Sequence, residues 1–190
     1  MRNSFKLSLL ISLTAVNLAL GAVVSYLKLP IYLDTLGLVL ATITLGVAWG
    51  IACALLTVAV GFFVINPYLP AYVLTGICIA VTVEILFRAR MYQSWWRAAI
   101  SGLIVAIVSA TTSAPITTYL FGGMTLSGAD AITAYFFATG KTLLNSALLS
   151  GLSSEPIDKV LVSLIAYLTL QRVPPKVSKR YGLRLPSQSK

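Results

Sequence analysis

The stretch LDTLGLVLATITLGVAWGIACALLTVAVGFFVI, residues 33–65, contains a single charged residue, Asp34. About 20 helical residues cross the ~30 Å hydrocarbon core of a bilayer, so this stretch is too long for one membrane-spanning helix. We place its break around Gly46–Gly50. This predicts two helices, at 33–46 and 48–65, of which the first is short for a full span.

The composition of the whole chain agrees with a membrane protein. Of its 190 residues, 58% are apolar and 10% are charged, and the mean hydropathy is +0.91. Soluble domains contain roughly 45–50% apolar and about 25% charged residues. A soluble domain of this size could not cover so much apolar surface with polar groups. The length fits one domain and leaves no room for a soluble catalytic domain.

Further apolar runs extend the pattern in both directions along the chain. They predict spans at 7–29, 68–87, 96–120 and 156–171. With the two central helices, the fold class is an all-α integral membrane bundle of six transmembrane helices. An extra apolar segment at 131–152 carries several polar residues, and we expect it to be an amphipathic or re-entrant helix on the outer side.

The basic residues predict the orientation of the chain. Eleven of the fourteen Lys and Arg lie in three short segments, at 2–6, 88–97 and 172–190, each beside an apolar run. The positive-inside rule places all three in the cytoplasm, which predicts a multi-pass protein of the cell membrane with both termini and a basic tail (172–190) inside. Charge placed beside apolar runs does not indicate a nucleic-acid partner.

This orientation requires an odd number of crossings between Gly123 and Arg172. We assign the crossing to 156–171, because the residues 154–158, Ser-Glu-Pro-Ile-Asp, are typical of a helix start. On this interpretation Asp130 and Glu155 flank the outer segment as solvated caps.

Charged residues within a membrane are candidates for function. Asp34 lies at the outer start of the second helix, where it either contacts a ligand or favours the first helical turn. Lys141 and Asn145 share a helical face and either bind an anionic or amide-bearing ligand or, for the lysine, reach the outer interface. Glu84 and Arg88 are spaced for an interfacial ion pair.

Polar side chains also gather on the predicted outer side. The segment 109–119 holds six Ser and Thr, a proline and a tyrosine, which bind either a ligand or a neighbouring helix. The loop around Asn66-Pro67 lies on the same side. The candidate ligand-binding residues here are Asn66, Tyr68, Tyr72, Thr112, Ser113, Thr117 and Tyr119.

No residue pattern indicates an enzyme. The chain has no histidine, and its two cysteines, Cys53 and Cys78, lie inside apolar runs. We find no paired carboxylates, no nucleophile beside a base and no metal-ligand spacing. We therefore predict no catalytic residues, no metal site and no cofactor.

Small side chains form a stripe along the first helix, at three- and four-residue spacing. It comprises Ser8, Ser12, Ala15, Ala19, Ala22 and Ser25. Such a stripe allows close packing, either inside the bundle or against a partner protein.

Taken together, the chain resembles the substrate-binding S components of energy-coupling factor (ECF) transporters. The similar features are the length, the six predicted spans with a basic tail, and the stretches 29–37 (LPIYLDTLG) and 45–50 (LGVAWG). Ala15-Val-Asn-Leu-Ala19 is similar to the Ala-xxx-Ala motif of the family's first helix, and the closing helix from Asp158-Lys159 to Pro174 is also similar.

The resemblance implies a substrate-capture subunit of an ABC importer. Such a subunit binds a vitamin or similar micronutrient in an outward-facing cavity. It then associates, through the Ala-xxx-Ala face, with a transmembrane coupling subunit and two ATPase subunits.

Two other classes of protein remain open from the sequence. A stand-alone secondary transporter would need intramembrane carboxylates for ion coupling, or discontinuous helices. A structural or sensory subunit of a larger complex would need only the small-residue stripe and the basic tail. Association with an ATPase module would separate the capture subunit from both.

Overall fold

The computed structural model describes residues 2–186, with no side-chain description for Arg2, and this part of the chain is entirely α-helical apart from turns and loops. The predicted tail residues beyond Pro186, including Lys190, lie outside the described residues. A short 3-10 turn, Leu69–Tyr72, precedes α4. The helices are α1 (Arg2–Tyr26), α2 (Leu36–Leu45), α3 (Val47–Val64), α4 (Val73–Arg88), α5 (Trp95–Phe121), α6 (Asp130–Ala138), α7 (Leu143–Arg172) and α8 (Pro175–Tyr181).

Four helical segments are long and apolar enough to cross a membrane: Asn3–Tyr26, Val47–Val64, Leu69–Arg88 and Trp95–Phe121. Between 28% and 39% of the residues in their most apolar windows are buried within the protein, so most of their side chains are at least partly exposed. Apolar side chains that face outward over this length suit lipid contact. The prediction of an all-helical membrane protein is confirmed to this extent.

The short helix α2 lies in the interior of the bundle. Nine of its ten residues are buried, and at 1.5 Å per residue it is only about 15 Å long. It ends at Gly46, whose φ of 105° favours glycine and allows α3 to begin one residue later. The apolar sequence of α2 therefore reflects enclosure by protein rather than a full lipid-facing span.

Asn17 holds the beginning of α2 against α1 and α3. Its Oδ1 atom accepts a 2.6 Å hydrogen bond from the Gly37 amide, and its Nδ2 atom donates to Thr57 Oγ1 at 3.2 Å. A Cβ atom on Gly37 would lie 2.0 Å from the Leu13 carbonyl oxygen. The fully buried amide of Asn17 thus joins three helices at a point where only glycine fits.

The structure corrects the predicted division into an outer segment at 131–152 and a closing span at 156–171. Residues 143–172 form one continuous helix, α7, which begins where the Thr142 hydroxyl accepts a 3.3 Å hydrogen bond from the Asn145 amide. Pro156 lies inside this helix, as membrane helices tolerate. The short α6 is all that remains of a separate outer segment.

The misplaced boundary has an electrostatic cause. Glu155 and Asp158 resemble the acidic first turn of a helix in sequence, but both are buried and contact Lys159. Glu155 is therefore not the solvated cap that was predicted. Because both carboxylates contact Lys159 inside the protein, they need not mark the start of a helix.

Helices α5 and α7 approach each other closely through two glycines. A Cβ atom on Gly102 would lie 2.6 Å from both the Lys159 carbonyl oxygen and Val160 Cα, and one on Gly151 would lie 3.1 Å from Ala110 Cβ. Small residues allow this kind of contact between membrane helices. The approach places Ser109 of α5 beside Glu155 of α7.

The two ends of the bundle differ in charge. One end, called the basic end below, gathers the described parts of the three basic segments. There Glu84 binds Arg88 at 2.7 Å, as predicted, and Arg184 at 2.9 Å, while the Arg184 amide donates to the Thr44 carbonyl. The opposite end, called the loop end, consists of the loops 27–35, 65–72 and 122–129 with α6.

Candidate ligand cavity

A cavity of about 180 Å³ lies between the helices at the loop end. Every long helix of the bundle contributes to its walls, and so do all three loops of that end. The volume is well above the space that a single water molecule needs. Apolar side chains form part of the walls, among them Val24, Leu38, Val58, Ile65 and Ile79.

Side-chain hydrogen bonds connect the loops that cover the cavity. Asn66 Nδ2 donates to the Thr125 carbonyl at 2.7 Å, and Lys28 Nζ donates to the Leu126 carbonyl at 2.9 Å. Asp130 accepts hydrogen bonds from the Thr125 amide, at 3.0 Å, and from its hydroxyl, at 2.8 Å. Asp130, predicted to be a solvated cap, thus organises the loop that covers the cavity.

Three tyrosines line the cavity: Tyr32, Tyr68 and Tyr72. The Tyr72 hydroxyl lies 2.8 Å from Thr117 Oγ1, and the Tyr68 ring packs on Phe121 with 4.6 Å between centroids. The phenol of Tyr32, in the 27–35 loop, adds a hydroxyl group that can donate or accept a hydrogen bond.

A buried charged cluster, formed by Glu155, Asp158 and Lys159 of α7, adjoins the cavity. Lys159 Nζ binds the Asp158 carboxylate and lies 3.1 Å from Glu155 Oε2. None of the three residues is more than 4% exposed. Ser109 of α5 donates a 2.9 Å hydrogen bond to Glu155 Oε1.

The cluster also holds the loop that enters α2. Asp158 Oδ1 accepts hydrogen bonds from the backbone amides of Leu33, at 2.7 Å, and Tyr32, at 3.3 Å. Glu155 and Lys159 line the cavity together with Asp34 of the same loop, which is only partly exposed. Charges from two distant parts of the chain thus meet at one wall.

Three buried polar atoms on the cavity wall have no hydrogen-bond partner in the part of the chain that the structure describes. They are Thr35 Oγ1, Thr75 Oγ1 and Glu155 Oε2. A buried polar atom without a partner costs about 1–3 kcal/mol, and most such atoms in proteins are paired. The two threonine hydroxyls are therefore available to a bound molecule, whereas Glu155 Oε2 already lies 3.1 Å from the Lys159 ammonium group.

The structure brings most of the predicted ligand residues to the cavity. Those that line it are Asp34, Asn66, Tyr68, Tyr72, Ser113 and Thr117. Four others do not line it. Thr112 bonds the Val108 carbonyl of its own helix, Tyr119 is 74% exposed, and Lys141 and Asn145 are exposed around the start of α7.

The residues that sequence reasoning missed are those of the charged cluster. The spacing of Glu155 and Lys159, four residues apart in an apolar helix, was a usable signal for an intramembrane ion pair. The supposed helix start at 154–158 concealed it. Thr35 and Thr75 carried no such signal, because a threonine in an apolar helix more often bonds its own backbone.

Two further placements concern the predicted partner face and metal binding. On α1, Ala15 and Ala19 are exposed and Ala22 is half-buried, so the small-residue stripe faces away from the bundle.

Within residues 2–186, no group of three or more His, Cys, Asp or Glu side chains is arranged to hold a metal ion.

No protein-family model matches the chain, and no curated protein or solved structure matches it either.

Proposed function

We propose that this protein captures a small solute, as the substrate-binding subunit of an ECF-type importer for a vitamin or similar micronutrient. The observation that carries the proposal is the cavity with two unpartnered buried hydroxyls, those of Thr35 and Thr75, covered by loops that hydrogen-bond to one another. A mostly apolar pocket with a few convergent polar groups is typical of small-molecule sites. The resemblance in sequence adds the importer class.

In this proposal the basic end faces the cytoplasm and the cavity opens toward the outside. The positive-inside rule supports this orientation, because the Lys and Arg of the three basic segments meet at one end. Six crossings follow from it, made by α1, by α2 with the 27–35 loop, and by α3, α4, α5 and α7. The solute would then enter from the side where the loops meet.

The stripe of small residues that faces outward on α1 supports binding of this protein to another membrane protein. Ala15 and Ala19 leave a shallow surface along α1, on which another helix can pack closely. We assign this surface to the transmembrane coupling subunit, which would link the protein to two ATPase subunits.

One observation favours a second candidate, a stand-alone secondary transporter. Glu155, Asp158 and Lys159 are ionisable residues inside the bundle, and such residues often serve proton or ion coupling. The two functions differ in their energy source. Uptake by the importer would require its ATPases, whereas uptake by a secondary transporter would stop when the ion gradient is collapsed.

The capture function predicts that a metabolite co-purifies with the protein and that Thr75→Val weakens its binding. Valine keeps the shape of threonine but removes the unpartnered hydroxyl, so we expect affinity to fall about 3- to 10-fold, the equivalent of one hydrogen bond. Native mass spectrometry of the purified protein in detergent would identify the metabolite. Titration with that metabolite would give the two affinities.

Thr82→Val is the matched control, because Thr82 lies on the same helix and donates to the Cys78 carbonyl away from the cavity. It should leave binding unchanged. Binding to sealed right-side-out vesicles should match binding in detergent if the cavity opens outward. A protein that is isolated empty and stays empty against a panel of vitamins would contradict the capture function.

The partner surface predicts that Ala19→Leu separates assembly from capture. A leucine side chain at this exposed position would keep the partner helix from approaching closely, so we expect recovery of ATPase subunits with the tagged protein to fall at least tenfold. Solute binding should not change. Quantitative pull-down from native membranes measures the first effect and titration the second.

Ala59→Leu serves as the control, since Ala59 is equally exposed but lies on α3. If both variants retain the ATPase subunits, the α1 stripe is not the docking surface. If the unmodified protein recovers no ATPase subunit at all, the importer assignment is wrong and the secondary transporter becomes the better candidate.

A further inference from the structure

The charges beside the cavity do not balance. Asp34, Glu155 and Asp158 supply three carboxylates, and Lys159 is the one basic side chain that the described residues place among them. Charges removed from water are costly unless they are paired. The distribution of contacts within the cluster therefore indicates which charge lacks a partner.

Asp158 is the best satisfied of the three carboxylates. It binds Lys159 and accepts two backbone hydrogen bonds, from Leu33 and Tyr32. It is fully buried and does not line the cavity. The positive charge of Lys159 is thus balanced chiefly by a residue that a ligand cannot reach.

Glu155 has fewer polar contacts than Asp158. Its Oε1 atom accepts from Ser109, and its Oε2 atom contacts only Lys159 Nζ, at 3.1 Å, an ammonium group that it shares with Asp158. Asp34 lines the same cavity, and no side chain among the described residues donates a hydrogen bond to its carboxylate. Two carboxylates with unfilled acceptor positions therefore face one space.

The aromatic side chains of the cavity suit a positive charge as well. Tyr32, Tyr68 and Tyr72 line the cavity, and aromatic rings attract cations through their faces. The Tyr32 ring already lies 5.7 Å from the Lys159 ammonium group. An anionic ligand, by contrast, would reach Lys159 only beside Asp158 and Glu155, where both carboxylates would repel it.

We infer that the cavity binds a small organic cation, such as a protonated amine, with its charge between Glu155 and Asp34. The unpartnered hydroxyls of Thr35 and Thr75 would form hydrogen bonds with the rest of the ligand, as donors or as acceptors. This inference rests on the proposed capture function and names the chemical class of its solute.

Matched sets of an amine, an alcohol and a carboxylate on one carbon frame test the inference. Tyramine, tyrosol and para-hydroxyphenylacetate form one set, and equivalent sets on other small frames extend the panel. Binding to the full-length protein in lipid nanodiscs, measured by saturation-transfer NMR and calorimetry, should favour the amine of each binding set about 10- to 100-fold, as for a charge-assisted hydrogen bond.

The variants Glu155→Gln and Asp34→Asn should each reduce this preference at least several-fold while keeping the shape of the site. Glu84→Gln is the matched control, because Glu84 is a buried carboxylate paired with arginines at the basic end. It should keep the full preference for amines. Asp34 is only partly buried, so Asp34→Asn remains informative if Glu155→Gln fails to fold.

The outcomes separate the inference from the function on which it rests. Equal or tighter binding of the alcohols or carboxylates, or an anionic metabolite retained by the purified protein, would overturn the cationic class and leave the capture function standing. A preference for amines that persists in both carboxylate variants would overturn the assigned position. A protein that binds no probe and retains no metabolite would contradict the capture function itself.

Discussion

Replacing Lys159 with methionine is expected to lower the stability of the folded protein by about 3–5 kcal/mol, the usual cost of breaking a buried ion pair. Methionine has a similar length and fits an apolar helix, so the loss would come from charge rather than shape. Asp158 and Glu155 would remain buried without their cation. The thermal unfolding midpoint of the purified protein in detergent, and the fraction that elutes as a single species, measure the effect.

The structure supplies a control and a rescue for this prediction. Lys141→Met changes an exposed lysine at the loop end and should leave the unfolding midpoint unchanged. Asp158→Asn combined with Lys159→Met should recover part of the lost stability, because the amide oxygen still accepts from Leu33 while one unpaired charge is removed. Equal midpoints for Lys159→Met and the unmodified protein would contradict the buried cluster.

Replacing Gly102 with alanine is expected to force α5 and α7 apart. The added methyl group would lie 2.6 Å from backbone atoms of Lys159 and Val160, which cannot move aside as a side-chain end can. Overpacking of this kind costs about 1–3 kcal/mol or more. Because Ser109 would move away from Glu155, binding at the cavity should weaken as well.

Gly151→Ala provides a graded comparison at the same helix pair. Its methyl group would lie 3.1 Å from Ala110 Cβ, a contact that small shifts can relieve. We expect a clearly smaller fall in the unfolding midpoint than for Gly102→Ala, measured in the same detergent. A larger fall for Gly151→Ala would show that the closest point between α5 and α7 lies elsewhere.

The small residues of these helices show how little a sequence pattern reveals about which face of a membrane helix is packed. Lipid and protein interior are similarly apolar, so helical periodicity does not distinguish the face of a helix that meets lipid from the face that meets its neighbours. The stripe of small residues on α1 and the glycines of α5 and α7 look equivalent in sequence. In the structure Ala15 and Ala19 face outward, while Gly102 is packed against backbone.

The similar polarity of lipid and protein interior also explains which residues of the candidate site were predictable from the sequence. Polar residues near loops, such as Asn66 and Tyr72, were predictable because polar groups collect where helices end. Glu155 and Asp158 were assigned to a helix start, because an acidic first turn and the carboxylates of a buried ion pair use the same residue types. Only the packing of α7 against α5 and the 27–35 loop distinguishes the two.

By itself, the sequence determined that this is an all-helical protein suited to a membrane, since the cost of placing apolar side chains in water depends on composition and run length alone. It also determined where the basic segments lie along the chain. The tertiary structure decided that α7 is continuous through Pro156, that α2 is enclosed, and that a charged cluster meets the cavity. These features depend on contacts between distant residues, whose energies no local pattern contains.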